Sequence, residues 1–319
     1  MKNILSLICF VFCFTNLYAQ QIIESYLQVK DSVQVGKKVY LSCTHKGFTC
    51  IKADNTSAVA IIFCEDKPDT TSKSQKEFFN ESYKKHLSIL YISRGNPYDF
   101  FFNKKEIDDA DVLLSVALKQ CSLTEKPVVL IGDGRCGSRA LQFVKYYKKG
   151  WSSMVLDIEA IALFDSPLDM VRYYKSAEHN LKIKSDSTNA DEYKYITYLL
   201  KLNFGSRPKS YLTKYLAYSP YSFWDESNEQ AIFFNKIPVK AYTEPGIEWW
   251  LESKNKNLYD TNLPDMAGFI QSIRNAGNTK STLVVYNYRR PTEHGSEYTF
   301  ALANKIELVD WLMEQIANS

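Results

Sequence analysis

The groups able to do covalent chemistry gather in one turn and two loops. Residues 127–141 read Pro-Val-Val-Leu-Ile-Gly-Asp-Gly-Arg-Cys-Gly-Ser-Arg-Ala-Leu, so Cys136 and Ser138 bring nucleophilic atoms to a glycine-dense turn. Far along the chain, Glu244 and Glu248 bring carboxylates and His294 an imidazole. Thiol or hydroxyl, imidazole and carboxylate are the three parts of an acyl-transfer relay. The first attacks a carbonyl carbon, the second takes its proton and the third orients the second. A thiol joins in only if a base lowers its pKa, and His294 would have to be that base for Cys136.

Such groups act together only if the chain holds them together. Four apolar residues after Pro127, a dense turn and then Ala140, Leu141, Phe143, Val144 and Tyr147 at helical spacing predict strand, sharp turn, helix. Upstream, 26–29 and 38–42 alternate as antiparallel edge strands do, and 58–63 is continuously apolar, as a strand buried on both faces is. Helical spacing over 72–85 and a strand at 87–92 follow, then a helix over 105–120 with Ile107, Val112, Leu113, Val116 and Leu118 as its apolar positions. Beyond the turn come a strand at 158–164, a tyrosine-rich helical region over about 170–235, and a strand at 238–242. A helix over 266–276, a strand at 282–286 and a closing helix over 303–316 complete the order. No internal repeat or long linker interrupts it.

In this order, the turn Gly132-Asp133-Gly134-Arg135-Cys136-Gly137 resembles the nucleophile elbow of α/β-hydrolases. The resemblance covers about 26–312. It implies an α/β fold: a mostly parallel central sheet with helices on both faces and a helical cap inserted at about 170–235. The elbow needs small neighbours because its nucleophile has strained backbone angles. Gly132 and Gly137 supply them, but the nucleophile position falls on Gly134, which has no side chain. The segment Thr243-Glu244-Pro245-Gly246-Ile247-Glu248-Trp249-Trp250 resembles a loop of exported bacterial hydrolases in which aspartate follows the proline, and here that residue is Gly246. Counting back without a gap from Glu307-Leu308-Val309-Asp310-Trp311, the histidine slot is Tyr298, with His294 one helical turn upstream. The oxyanion loop after 58–63 reads Cys64-Glu65-Asp66-Lys67-Pro68; its two carboxylates oppose developing negative charge, and Pro68 lacks a donor.

Four departures at separate places imply a catalytically degenerate homologue that binds an unidentified ligand or protein partner, with Gly134, Arg135, Cys64 and Glu65 at the binding surface. A purely structural role for the same fold is a further reading. The competing enzymatic reading shifts the elbow by two residues. It makes Cys136 the nucleophile of an ester or peptide hydrolase, with His294 as base and Glu244 or Glu248 as acid. Ser138 falls at the helix start in either register and is expected to cap it.

Composition sets the outer limits. A 319-residue chain with 45% hydrophobic residues can bury one large core. With 39 basic and 36 acidic residues, its net charge of +3 argues against nucleic acid as a partner. Lys2, the apolar run Ile4–Phe14 and Leu17-Tyr18-Ala19 form a signal-peptide pattern with cleavage before Gln20, too short to span a bilayer. The expected mature chain, 20–319, is periplasmic or extracellular with no membrane span. It keeps Cys43, Cys50, Cys64, Cys121 and Cys136, an odd number, so one at least is unpaired unless a second chain supplies a partner. Cys43 and Cys50 flank an expected hairpin turn near Gly47, across which a disulfide is conceivable; buried free thiols are the alternative. No cysteine or histidine spacing suggests a metal, His45 stands alone, and no cofactor is expected.

Overall fold

Alternation along the central strands decides the architecture. The computed structural model describes residues 21–35, 38–96, 99–183, 190–286 and 299–319. In β3 (Ala58–Cys64), Val59, Ile61 and Phe63 enter one apolar layer while Ala58, Ala60 and Ile62 enter the other. β5 (Val128–Asp133) and β6 (Ile158–Phe164) divide their side chains the same way. Strands apolar on both faces must be covered on both faces, which forces a three-layer sandwich.

The sheet has eight strands in the order β1-β2-β4-β3-β5-β6-β7-β8. Here β1 is Gln21–Val35, β2 Lys38–Lys52, β4 Leu87–Arg94, β7 Val239–Thr243 and β8 Thr282–Val285. β1–β2 and β2–β4 pair antiparallel, and every later pairing is parallel. One face carries α2 (Lys104–Gln120), α3 (Arg135–Lys148) and α8 (Leu263–Asn275), which bury Leu114, Phe143 and Phe269. The other carries α1 (Lys73–Lys84) and α10 (Lys305–Ala317), which bury Phe78, Leu308 and Leu312. Ser72 caps α1 and Asn304 caps α10, each through its side-chain oxygen.

Between β6 and β7 lie α4 (Met170–Ile183), α5 (Ala190–Phe204) and α6 (Pro208–Tyr218). Tyr174, Leu200, Phe204 and Tyr215 give these helices a core of their own. Lys145 of α3 anchors them from below, donating to the carbonyls of Ala217 and Tyr218 at 2.9 and 2.7 Å. α7 (Ile247–Lys254) and the short α9 (Thr299–Leu302) complete the set.

Three expectations fail. There is no hairpin turn at Gly47: it lies mid-strand in β2, opposite Tyr26 of β1, and the two strands run on to Val35 and Lys38. Cys43 and Cys50 therefore sit on one extended strand, roughly 24 Å apart at 3.4 Å per residue, and cannot be joined. Pairing with β1 along its whole length, invisible to local pattern, overrides the glycine. In α2, Val112 and Val116 are exposed, and the buried stripe is Ile107, Ala110, Leu114, Ala117 and Leu118. The segment after β7 is not all loop, since α7 occupies Ile247–Lys254.

Candidate functional site at the end of the central strand

β5 ends at Asp133, and the chain reverses at Gly134 with φ 54° and ψ −125° before α3 begins at Arg135. An L-residue adopts those angles only under strain. Two hydrogen bonds hold the turn. Gly134 N–H donates to the Phe164 carbonyl at 2.8 Å, and Gly137 N–H donates to the Gly134 carbonyl at 3.1 Å.

Below the turn nothing larger than hydrogen fits. A Cβ on Gly132 would overlap the Gly137 backbone, and one on Gly137 would overlap the Ser166 hydroxyl. Ser138 is buried and donates to the Pro167 carbonyl at 2.5 Å, so it ties α3 to the loop after β6. It is not the expected cap: the N-cap is Gly134, which makes no side-chain bond. Arg139 is 2% exposed and spends its guanidinium on the carbonyls of Phe63, Asn96 and Asp99. Above the turn the situation reverses. A Cβ on Gly134 would meet no atom within 4 Å.

That space belongs to a cleft of about 990 Å³ at the C-terminal ends of the strands. Cys64 and Glu65 line it from the end of β3, Arg135 and Cys136 from α3, and Glu244 from the end of β7. Tyr173 of α4, Glu192 of α5 and Trp250 of α7 line its upper walls. The sequence-predicted residues Gly134, Arg135, Cys64, Glu65, Cys136 and Glu244 are thus brought together. Glu248 is exposed in the first turn of α7 and does not line the cleft. Gly246 caps that helix in a left-handed conformation, φ 47°, also outside the lining. His294 and Tyr298 lie outside the described residues.

Among the described residues, eight carboxyl groups line the cleft (Glu65, Asp66, Asp69, Asp133, Asp165, Glu192, Glu244, Asp260) against three cations (Lys67, Arg135, Lys256). Glu65 is not bare: it accepts from Arg135 Nε at 2.6 Å and Nη2 at 2.8 Å in a bidentate clamp. Asp66 accepts from the His45 backbone N–H at 2.7 Å, and its carboxylate lies 2.9 Å from His45 Nδ1. His45 therefore has a structural partner, and no metal-binding cluster occurs among the described residues.

Two carboxyls sit directly at the strand ends. Burial pushes Asp133 up to about 7, reinforced by the charges of Asp165 and Glu65 and opposed by Lys305. Burial likewise lifts Asp165 to about 6, although the Thr243 and Thr299 hydroxyls donate to its carboxylate and partly restore the charged form. Asn262 donates to the Asp165 carbonyl at 2.7 Å, tying α8 to the same strand end.

Cys136 lies in the first turn of α3, not at the apex. A helix N-terminus favours thiolate, yet burial raises the thiol to about 11; Arg139 opposes that shift, and Glu65 and Asp133 add to it. The cleft keeps this sulfur protonated at neutral pH. Among the described residues, the apex carries no attacking atom and the nearest thiol is a poor one.

Sequence reading missed Asp133, Asp165, Tyr173 and Trp250. Asp165 had a signal, because ligands in open α/β sheets bind beyond the carboxyl ends of the strands, and it directly follows 158–164. Trp250 had none, because its placement depends on a helix that local pattern did not indicate.

No protein-family model matches the sequence, and no curated protein matches it. Solved structures do. One, from a study of two fungal esterases of Rhizomucor miehei, is similar at 12% identity with a TM-score of 0.53, over 94% of this chain and 85% of the other. An esterase from the bacterial hormone-sensitive lipase family is similar at 13% identity with a TM-score of 0.50, over 91% and 85%. At such identities the likeness speaks to the path of the chain alone.

Proposed function

This chain has the α/β-hydrolase fold, and from that premise we propose that it is an exported, catalytically silent member that uses the cleft to bind a ligand or partner. One observation carries the reading. Gly134 holds the strained backbone of a nucleophile elbow, φ 54° and ψ −125°, beneath open space and without an attacking atom. Covalent catalysis needs that atom. The Glu65 carboxylate beside it is clamped by Arg135. The helices α4 to α6 serve as the cap, contributing Tyr173 and Glu192 as walls.

The test is turnover of activated p-nitrophenyl esters by the purified mature chain. No rate above a catalytically inert protein blank is expected, and no labelling by a fluorophosphonate. The second reading, an ester or peptide hydrolase acting through Cys136 and His294, is favoured by one feature, the position of Cys136 in the cleft wall. It forecasts turnover that thiol alkylation blocks and that Cys136→Ala or His294→Ala abolishes. Export rests on the signal pattern over 1–19. Protein recovered from its native host is expected to begin near Gln20 by intact mass, and a mature pool retaining Met1 would remove export from the proposal.

A further inference from the structure

The two edges of the sheet are finished differently. At one end β8 is four residues long, Thr282–Val285. At the other, β1 runs for fifteen, Gln21–Val35, and among the described residues no strand pairs with its outer side. Proteins blunt such edges with proline, a bulge, short length or a row of charges. β1 uses none of these. It contains no proline, its register against β2 never slips, and over 21–30 its only charged residues are Glu24 and Lys30. Ile22 and Leu27 stand on it 53% and 73% exposed.

The backbone of this edge has a fixed phase. Val35 faces Lys38 with two residues between them, so that pair exchanges both of its hydrogen bonds. Counting back by twos, the odd-numbered residues of β1 bond to β2. Ile22, Glu24, Tyr26, Gln28 and Lys30 therefore turn their N–H and C=O groups outward.

We propose that this edge is a homodimer interface, at which β1 of a second copy pairs antiparallel about a two-fold axis through Leu27 and joins the two eight-stranded sheets into one. Two requirements set the register. Outward backbone groups must meet outward backbone groups, so even-numbered residues face even-numbered ones. Charges must also pair: only the axis at Leu27 sets Glu24 opposite Lys30, and symmetry makes that pair twice. The same register sets Tyr26 opposite Gln28 and closes about a dozen backbone hydrogen bonds between 22 and 32. The two Leu27 residues then form a non-hydrogen-bonded pair on the axis, with Cα atoms ~4.5 Å apart, and cover each other's exposed side chains. Glu24 is already steadied at the edge by Lys67 at 2.5 Å and by the Thr49 hydroxyl at 3.0 Å. Its carboxylate has further acceptor sites for Lys30 of the second copy. The interface stands whether or not the cleft is catalytic.

Sedimentation velocity of the purified chain 20–319 over a concentration series tests this. A species of twice the chain mass is expected at tens of micromolar. Leu27→Lys brings two ammonium groups together on the axis and is expected to weaken dimerisation on the order of 100-fold. Glu24→Lys and Lys30→Glu should each weaken it ~10-fold. Their equimolar mixture should recover it, because one copy then carries lysine at both positions and the other glutamate at both. That recovery also shows that both variants are folded. A wild-type chain that stays monomeric over the series overturns the proposal even if a variant fails to fold. So does a dimer that Leu27→Lys leaves intact, or a mixture that associates no more tightly than its parts.

Discussion

The underside and the upper side of the same turn obey opposite rules. Beneath Gly134, Gly132 and Gly137 touch so closely that neither admits a methyl group, Ser138 and Arg139 are fully buried, and every polar atom named there has an acceptor. Above it, the apex opens onto a wide cleft and no side chain fills the reacting position. The half that builds an elbow is packed tight, while the apex above it carries no side chain at Gly134. Folding and catalysis place separate demands on this turn, and its backbone meets the first.

Gly137→Ala is the hardest test of the intact half. Its Cβ would meet the Ser166 side chain and the Gly132 carbonyl, all held at strand ends that cannot retreat. A loss of ~3 kcal/mol or more is expected by urea unfolding. A near-neutral result would show that the underside is looser than its contacts indicate.

The carboxyl at the strand end comes next. Burial lifts Asp133 to about 7 in the folded protein, while the unfolded chain ionises near the ordinary carboxylate pKa of about 4. The folded state therefore holds a proton that the unfolded state has lost, and stability falls as pH rises from about 4 to about 7. Asp165, lifted to about 6, contributes in the same direction. Asp133→Asn is expected to flatten this dependence and to raise stability at pH 8 by on the order of 2 kcal/mol. Parallel pH profiles for variant and wild type would refute the assignment.

At the apex itself the effect is smaller. Gly134→Ala meets no neighbour and is charged only with backbone strain, ~1–2 kcal/mol. Gly134→Ser should cost the same, and under the proposed silent site it should remain without esterase turnover, because a hydroxyl also needs a base and oxyanion donors. Efficient turnover by that single variant would show that the apex lacks only one atom. The smallest effect belongs to the Glu65–Arg135 clamp, whose two side chains are each 32% exposed. A double-mutant cycle with Glu65→Gln and Arg135→Gln should give ~1 kcal/mol of coupling. Removing the Glu65 charge should also lower the Asp133 pKa, readable by carboxyl NMR.

The sheet was legible because both of its signals are local. Continuous apolar strands at 58–63 and 158–164 and a turn crowded with glycines need no distant partner to be recognised. Gly132 and Gly137 could be assigned on sterics alone. What misled were residues whose role depends on partners far along the chain. Gly47 looks like a turn until Tyr26 is set opposite it. Glu65 looks like a bare obstacle until Arg135 arrives from 70 residues away. Ser138 looks like a cap until the Pro167 carbonyl takes its hydroxyl. Glu248 and Glu244 are indistinguishable in sequence, yet α7 turns one outward while the other stays in the cleft wall.

The long β1–β2 pair has a consequence in time. Its ladder starts where Val35 meets Lys38 and extends by one residue from each arm until Gln21 meets Lys52, so each step closes almost no new loop. Hairpins of this kind zip within microseconds. The parallel centre cannot do so: Val59 must find Val128 across the whole of α1, β4 and α2, and such distant pairings set the slow part of folding. The first strand pair along the described chain thus carries its own rapid nucleus. Its β2 edge waits, with hydrogen-bonding groups unsatisfied, for a strand made some forty residues later. In that interval the half-made sheet is most open to pairing with a stranger, and its vulnerability is greatest before the cleft exists.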